Sequence, residues 1–319
     1  MKYNNTSETN DCGCLTAEED LCFRSVSLSA LEDIRTYFNQ QNYRTCDFSI
    51  GGLYMWARYF KYEYAIFENT LFIKGVSEIN PDEIAFSMPI GQLRVQKSMC
   101  LLKNYCDRHN LDLILSAVPE NAIKDLPRDI RFTSVKLENW SDYLYGIQDL
   151  STLRGKKYNK KRNHVNKFSQ LYPGYIYSRI EESDIEDILS FLEKYNEENE
   201  NNNPLFINET QMTEYVLRNY DKFDFIGSFI VIDNKIAGFT VGEIINDTLY
   251  VHIEKADKSI NGVYEMLNMR FTADVIEKYP DIIYVNREED VGDKGLRKSK
   301  LSYHPKFILN KYNLIFEAV

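Results

Sequence analysis

Residues 247–268, DTLYVHIEKADKSINGVYEMLN, decide the fold that this sequence predicts. The stretch contains a strand over 247–257, a short polar turn, and the start of a long helix that runs from Gly262 to Lys278. Asn261 is predicted to cap this helix, because asparagine is a favoured residue at a helix N-terminus. Gly262 lets another group approach the backbone closely. Because strand side chains alternate, His252 and Glu254 are expected on one face of the strand.

The elements on either side extend this unit over the second half of the chain. Before the strand we predict a strand, two helices and two further strands, at 175–180, 182–198, 208–221, 224–233 and 235–245. After the long helix come a strand at 281–286, a helix at 294–302 and a final pair of strands. This half therefore combines helices with a largely antiparallel sheet.

The first half repeats this order of elements without visible sequence similarity. Its predicted elements are two helices, a hairpin, a strand, a long helix and a strand, at 27–40, 49–60, 62–76, 83–90, 91–109 and 111–118. Further strands are expected within 131–147. We predict an α+β fold of two tandem lobes, each a mixed and mostly antiparallel sheet flanked by helices. The predicted segments are a disordered tail, an N-terminal lobe, a connecting helix and a C-terminal lobe, with boundaries 1–20, 21–152, 153–172 and 173–319.

The bulk composition is that of a globular protein with an acidic surface. The 319 residues include 38 Lys and Arg against 48 Asp and Glu, a formal net charge of −10, so any attraction to polyanions must be local. No apolar run approaches the roughly 20 residues of a membrane helix, and no signal peptide is evident, which predicts a cytoplasmic protein with no integral membrane segment. The six cysteines are accordingly expected as thiols. The spacing of Cys12, Cys14 and Cys22 fits no common zinc pattern, and no metal site is predicted.

One basic stretch stands out from this acidic background. LRGKKYNKKRNHVNKF, residues 153–168, holds seven bases and no acid. At helical spacing, an apolar stripe is formed by Tyr158, Val165, Phe168 and Tyr172. Arg154, Lys161 and Arg162 lie on or beside this stripe, and a second set of bases, Lys156, Lys160 and Lys167, lies on the opposite side. One interpretation is a linker helix with ion-paired bases. The other is an anion-binding helix between the lobes, in which the binding residues are Arg154, Lys157, Lys161 and Arg162.

A second polar stretch follows the last predicted core strand. NREEDVGDKGLRKSKLSYHP, residues 286–305, begins where open sheets collect functional groups. Arg287, Arg297 and Lys300 are candidates for neutralising an anion or an oxyanion. Asn286, Glu288 and Asp290 are expected in the polar network of the same cleft. Because acids and bases nearly balance here, an internal ion-pair network that pins the loop is an equal alternative.

Three stretches together carry a resemblance to a known family. LRGKKYNKKRNHVNKF, VHIEKAD with NGVYEMLNMRF, and YVNREEDVGDKGLRKSKLSYHP resemble the bacterial family related to the C-terminal domain of lysylphosphatidylglycerol synthase (phosphatidylglycerol lysyltransferase), over roughly residues 25–315. The resemblance implies two tandem GNAT-like (acyl-CoA N-acyltransferase) lobes and acyl transfer by direct attack. In the family's named relative, lysine passes from lysyl-tRNA to a lipid, with a membrane-embedded half that this sequence lacks. Similar tandem lobes occur in Fem-type aminoacyltransferases.

The resemblance also suggests roles for individual residues. Glu254 or His252 would take the proton of the attacking group. Tyr303 would donate a proton to the leaving group, as a tyrosine near this position often does in GNAT enzymes. Asn261 and Gly262 would lie at the donor. Relative to the usual acetyl-CoA signature, Ser259 replaces Arg/Gln and the bulky Tyr264 replaces a small residue, which argues against acetyl-CoA.

Three functions are therefore open at this point. The first is aminoacyl transfer from aminoacyl-tRNA, held through the basic helix, to a small amine or hydroxyl acceptor. The second is acyl-CoA-dependent N-acyl transfer, with the basic helix or Lys258 on the CoA phosphates. The third is a non-catalytic protein that binds an anion or a partner. No permanently bound cofactor is expected in any of them.

Overall fold

The computed structural model describes residues 20–128, 130–200 and 202–317. The predicted tail therefore lies outside the described residues except for Asp20. The described part of the chain up to Lys136 forms seven strands and three α-helices: β1 Arg24–Ser25, α1 Leu31–Phe38, α2 Ile50–Trp56, β2 Glu63–Phe67, β3 Thr70–Val76, β4 Ile84–Phe86, β5 Ile90–Gly91, α3 Val95–His109, β6 Ile114–Pro119 and β7 Phe132–Lys136.

The remaining elements follow the predicted order closely. They are β8 Asp142–Gly146, α4 Ile147–Thr152, α5 Asn159–Leu171, β9 Ile176–Arg179, α6 Ile185–Glu198, α7 Pro204–Arg218, α8 Tyr220–Phe223, β10 Ile226–Ile232, β11 Lys235–Ile245, β12 Thr248–Ala256, α9 Val263–Lys278, β13 Tyr284–Asn286, α10 Lys294–Leu301, β14 Phe307–Leu309 and β15 Lys311–Phe316. The predicted α+β fold, with two mostly antiparallel sheets flanked by helices, is confirmed. Among the described residues, no helix has the length and apolarity to cross a bilayer.

The two sheets do not follow the predicted boundaries, because they exchange strands. The N-terminal sheet has the order β1-β2-β3-β4-β6-β15-β7, with β5 beside β3, and so includes the last strand of the chain. The C-terminal sheet has the order β14-β8-β13-β12-β11-β10-β9 and takes β8 from the predicted N-terminal lobe. The predicted final strand pair is also split, since β14 pairs with β8 while β15 pairs with β6 and β7. Each sheet therefore contains a strand from the part of the chain that was predicted to form the other lobe.

A buried lysine marks the point of exchange. Lys311, the first residue of β15, is fully buried, and its Nζ lies 2.7 Å from Asp47, 2.8 Å from Asp142 and 2.5 Å from Glu289. These carboxylates come from the 3-10 turn Cys46–Phe48 that precedes α2, from β8 and from the loop after β13, so one ammonium group joins both lobes. Burial raises the pKa of Asp142 to about 7, although Lys311 favours its ionised form.

A second charged contact between the two lobes is made by His252. Its Nδ1 lies 2.6 Å from Glu288 and its Nε2 lies 2.9 Å from Glu243. Glu243 also accepts from the backbone N–H of Gly51 in the first turn of α2, at 2.6 Å. The His252 ring lies so close to Gly51 that any Cβ there would overlap it. Burial alone would lower the pKa of His252, but hydrogen bonds with Glu243 and Glu288 raise it to about 9.

The predicted common face of His252 and Glu254 is wrong, because β12 contains a bulge. Val241 of β11 pairs with Ile253 and Gly242 pairs with Val251, which leaves His252 as the extra residue. A bulge interrupts the alternation of side chains along a strand. His252 therefore contacts α2 in the N-terminal lobe, while Glu254 turns to α9 on the other face.

The cysteines differ from expectation at one position. Cys22, Cys46 and Cys106 are free thiols, as predicted, but Cys100 is disulfide-bonded. Cys12 and Cys14 lie outside the described residues.

Replacing Lys311 with methionine should destabilise the protein strongly. The change leaves three buried carboxylates without their counter-charge, which typically costs 3–5 kcal/mol or about half of a small domain's stability. Urea unfolding at pH 7 measures the loss. Lys136→Met, on the neighbouring and exposed part of β7, is the matched control and should change the free energy of unfolding by less than about 0.5 kcal/mol. A loss below about 1 kcal/mol for Lys311→Met would show that the exchange does not depend on this contact.

The His252 contact should make stability fall at alkaline pH. A raised histidine pKa stabilises the folded state fully below the unfolded value, near 6.5, and this contribution is lost as pH rises through about 9. Between pH 6.5 and 9.5 the wild-type free energy of unfolding should drop by about 2 kcal/mol more than that of His252→Gln. Parallel urea titrations of both proteins test this, and equal pH slopes would contradict it.

Candidate functional site

The candidate site lies where two neighbouring strands of the C-terminal sheet diverge. β12 and β13 are parallel and pair only over Thr248–Tyr250 and Tyr284–Asn286. β12 then continues to Ala256, whereas the chain leaves the sheet after Asn286. Beside this divergence, six side chains form a group of mutual contacts that we call the splay cluster: Lys161, Glu254, Glu265, Asn268, Arg287 and Tyr303.

Ion pairs and ring contacts hold the splay cluster together. Arg287 Nη2 lies 2.7 Å from Glu254, and the Arg287 guanidinium lies 4.8 Å from the centre of the Tyr303 ring. Lys161 Nζ lies 3.2 Å from Glu265 and 3.9 Å from the Tyr303 ring centre. The Glu254 and Arg287 side chains are each 12% exposed, so a narrow opening to solvent remains.

Two buried polar atoms of the splay cluster lack partners. Arg287 Nη1, a donor, and Asn268 Oδ1, an acceptor, form no hydrogen bond with any residue that the structure describes. Both residues contact the Glu254 carboxylate through their other atoms, at 2.7 Å and 3.4 Å. Unpaired buried polar atoms are costly, and they mark a place where a polar ligand can form bonds that the protein leaves open.

The local environment sets the charge states in the cluster. Burial raises the pKa of the Tyr303 hydroxyl above its ordinary value, despite the nearby Arg287, so this hydroxyl keeps its proton at neutral pH. Burial lowers the pKa of Lys161, against the opposing influence of Glu265. The site can therefore offer a carboxylate, a guanidinium donor and a protonated phenol within one group of contacts.

The loop after β13 distributes four consecutive charged residues to four different partners. Arg287 pairs with Glu254, Glu288 with His252, Glu289 with Lys311, and Asp290 with Arg297 at 2.7 Å. Lys300 donates to the backbone oxygens of Arg287 and Glu289, while Asn286 Nδ2 donates to Asp142 at 2.7 Å. Glu288 adopts a left-handed backbone conformation, φ 56°, which turns its side chain away from that of Arg287. The Asp290–Arg297 ion pair and the bonds from Lys300 to the loop backbone agree with the alternative of a network that pins the loop. Of the four consecutive charged residues, Arg287 alone reaches the splay cluster.

The basic segment forms a helix that divides its bases between two surroundings. α5 begins at Asn159, preceded by a short 3-10 turn at Lys156–Tyr158, so the predicted start at 153 is too early. Tyr158, Val165 and Phe168 are buried as the predicted stripe requires, and Tyr172 is partly buried. Only Lys161 reaches the splay cluster. Arg162 donates to the carbonyls of Leu153 and Gly155, and Lys157 Nζ lies 3.6 Å from Asp149. The other bases are exposed and make no ion pair with any described residue: Arg154, Lys156, Lys160 and Lys167.

The turn before α9 is covered by α5. Gly262 has φ 86°, and a Cβ at this position would lie 2.5 Å from the backbone oxygen of His164. Asn261 Oδ1 lies 3.3 Å from Nδ1 of His164 and makes no side-chain cap of α9. Glycine is thus required here, but the group that approaches it is the α5 backbone. The close approach expected at Gly262 is therefore made by the protein's own backbone at His164.

Several residues of this region were missed by the sequence analysis. Lys311, Asp142 and Cys46 come together only through the strand exchange, and no sequence signal marks them. Glu265 and Asn268 lie three residues apart on α9, and contact Lys161 of α5 and Glu254 of β12. Polar residues at this spacing on a largely apolar helix are a signal that the sequence does carry. Four residues predicted from the sequence as site candidates lie together in the structure: Lys161, Glu254, Arg287 and Tyr303.

Comparison with known proteins places the chain in a family. Residues 38–315 match the family described as phosphatidylglycerol lysyltransferase, C-terminal. A conserved protein of unknown function from Bacteroides thetaiotaomicron is 32% identical, with a TM-score of 0.86 over 93% of this chain and 100% of that one. The C-terminal domain of a predicted lysylphosphatidylglycerol synthetase from Agrobacterium fabrum is 13% identical, with a TM-score of 0.64 over 92% and 93% of the two chains, and shows the same fold.

A curated relative matches over a shorter region. An uncharacterised protein of Mycoplasmoides gallisepticum is 25% identical over 176 residues, which are 55% of this chain and 56% of that protein. The match thus spans little more than half of the relative's length. Because the match to the family covers residues 38–315, most of the chain, the chain belongs to the phosphatidylglycerol lysyltransferase C-terminal family.

Proposed function

We propose that this protein is an aminoacyltransferase, which moves an amino acid from aminoacyl-tRNA to a small amine or hydroxyl acceptor. The family supports acyl transfer in general. The observation that carries the proposal is the unpartnered Nη1 of Arg287, which lies beside the Glu254 carboxylate in a largely water-excluded opening. Acyl transfer needs both a proton acceptor and a donor for the developing oxyanion, and this pair supplies them.

The proposed reaction is a direct attack on the ester carbonyl of the donor. The acceptor nitrogen or oxygen bonds to the carbonyl carbon and gives its proton to Glu254. Arg287 Nη1 donates to the carbonyl oxygen as negative charge develops there, and Asn268 Oδ1 accepts from the amino group of the transferred amino acid. The ester carbon–oxygen bond then breaks, and the leaving ribose oxygen takes a proton from Tyr303. The proton held by Glu254 restores Tyr303 through solvent.

The surroundings of α9 favour a tRNA ester over acyl-CoA as donor. GNAT-type acyl-CoA binding uses the free N-terminus of the long helix to hold a pyrophosphate. In this protein the His164 carbonyl lies against Gly262, and Tyr264 occupies a position where the usual signature has a small residue. A carbonyl oxygen at this point would repel phosphate oxygens. An aminoacyl ester needs no pyrophosphate cradle.

The outer surface of α5 supports tRNA as the carrier. Lys156, in the turn before α5, and Lys160 and Lys167 on α5 face solvent, while the inner side of the helix brings Lys161 into the splay cluster. His304, after α10, lies with its Nε2 3.1 Å from the backbone oxygen of Lys157, next to these bases. In a chain with a net charge of −10, this local excess of bases matches a phosphate backbone close to the reactive group.

Arg287→Lys should separate oxyanion stabilisation from charge. Lysine can keep the ion pair with Glu254, but its single nitrogen cannot also place a donor at the position of Arg287 Nη1, so turnover should fall by about 10²-fold or more. Glu254→Gln should cost about 10²- to 10⁴-fold. The measurement is enzyme-dependent transfer of radiolabelled amino acid from aminoacylated total tRNA to ethanolamine or glycerol.

Arg179→Lys is the matched control for this experiment. It makes the same chemical change on the edge strand β9, in a pair with Asp274 that does not touch the splay cluster. We expect it to keep wild-type turnover within about threefold. If the wild type transfers nothing from any aminoacyl-tRNA, the enzymatic proposal fails and a non-catalytic binding protein is favoured.

Reversing the outer charges of α5 should weaken tRNA binding. The triple variant Lys156→Glu, Lys160→Glu, Lys167→Glu should bind tRNA at least tenfold more weakly. The slope of log K against log salt concentration should also be smaller in magnitude by about 2 to 3. Filter binding between 50 and 200 mM salt measures both quantities. The control reverses three lysines of the N-terminal lobe, Lys103, Lys124 and Lys136, with the same change in net charge. Equal affinities for the two triple variants would remove α5 from the tRNA site.

A further inference from the structure

A groove far from the splay cluster lies between the N-terminal lobe and α7. Its volume is about 670 Å³, within the range of small-molecule sites. Apolar and aromatic walls come from both lobes: Tyr54, Tyr62, Val76, Ile84, Met212 and Tyr215. None of the groove's lining residues belongs to the splay cluster, so the groove is a separate feature of the molecule.

The charges along this groove are unequal. Glu63 and Lys74 neutralise each other, since their charged atoms lie 2.5 Å apart. The remaining charged lining residues are Arg58, Lys61 and Asp82, and none of them makes an ion pair with any residue in the described part of the chain. The groove therefore carries one net positive charge in a protein of net charge −10.

Arg58 and Lys61 are placed at the groove by the backbone that follows α2. Arg58 Nη1 donates to Gln211 of α7 at 3.0 Å, which fixes the guanidinium and leaves most of its five N–H donors for other acceptors. Lys61 has φ 53°, a left-handed conformation that lysine seldom adopts. The turn is closed by the Tyr62 N–H, which donates to the Ala57 carbonyl at 2.8 Å.

We propose that this groove binds a small organic acid, a carboxylate on an aromatic or aliphatic body. Two cations without acidic partners complement the carboxylate, and the guanidinium of Arg58 suits its planar geometry. The tyrosine, methionine and aliphatic walls complement the apolar body. The site is independent of the aminoacyl transfer proposed above, and either can fail without the other.

Fluorescence titration with 8-anilino-1-naphthalenesulfonate, an aromatic anion, tests the proposal. We expect saturable binding of one molecule per chain, with at least tenfold weaker binding in Arg58→Gln, Lys61→Asn. Asparagine tolerates the left-handed conformation, so this double variant should retain the fold. Arg218→Gln, Lys222→Asn carries the same change in charge just beyond the groove and should bind like wild type. Binding that is absent, or within twofold in both double variants, would overturn the site.

Competition then identifies the chemistry of the ligand. The anion 4-phenylbutyrate should displace the probe from the wild-type protein, whereas the neutral 4-phenylbutanol should be at least tenfold less effective. Equal displacement by the acid and the alcohol would show a merely apolar groove and would overturn the assignment of Arg58 and Lys61. Met212→Trp, which fills the apolar wall, should weaken probe binding while keeping both cations.

Discussion

The ammonium group of Lys311 is the contact on which the arrangement of both lobes depends. It is fully buried among Asp47, Asp142 and Glu289, which belong to three different parts of the chain. A buried charge is tolerated only when counter-charges surround it at close range, because transfer from water costs several kcal/mol per ion. The last strand must therefore lie in the N-terminal sheet, where its first residue can meet these carboxylates. The same requirement holds β8, which carries Asp142, in the C-terminal sheet.

The loop that follows β13 transmits this constraint to the candidate site. Glu289 is fixed by Lys311, Glu288 by His252 and Asp290 by Arg297, so the backbone between them has little freedom. Lys300 donates hydrogen bonds to two carbonyl oxygens of the loop, those of Arg287 and Glu289. Arg287, the fourth charged residue, is thereby aimed at Glu254 in the opening between β12 and β13. The ion-pair network and the candidate site, which look like alternatives in the sequence, are connected in the structure, because the network positions Arg287 beside Glu254.

α5 has a similar double character. Its apolar stripe and Lys161 close the splay cluster from one side, and its backbone covers the turn before α9. Its exposed bases face away from the cluster into solvent. Helical periodicity separates the buried stripe from the exposed bases, because residues three or four positions apart share a face of the helix and the residues between them do not. A carrier held on the outer face and a reactive group held near the inner face would meet at the edge of the helix.

The sequence by itself determined the order of elements, the tandem α+β fold, the buried stripe of α5 and four members of the splay cluster. These features depend on periodicity, turn residues and local motifs, which are properties of short segments. Only the tertiary structure decided which strand completes which sheet, since pairing of β15 with β6 and β7 joins residues far apart in the chain. It also decided that His252 and Glu254 face opposite ways, because a single extra residue in β12, invisible in the strand's composition, reverses the alternation. The partners of Lys311 and the covered turn at Gly262 were beyond sequence reasoning for the same physical reason: charge compensation and close backbone approach are set by distances between segments, and no local pattern records them.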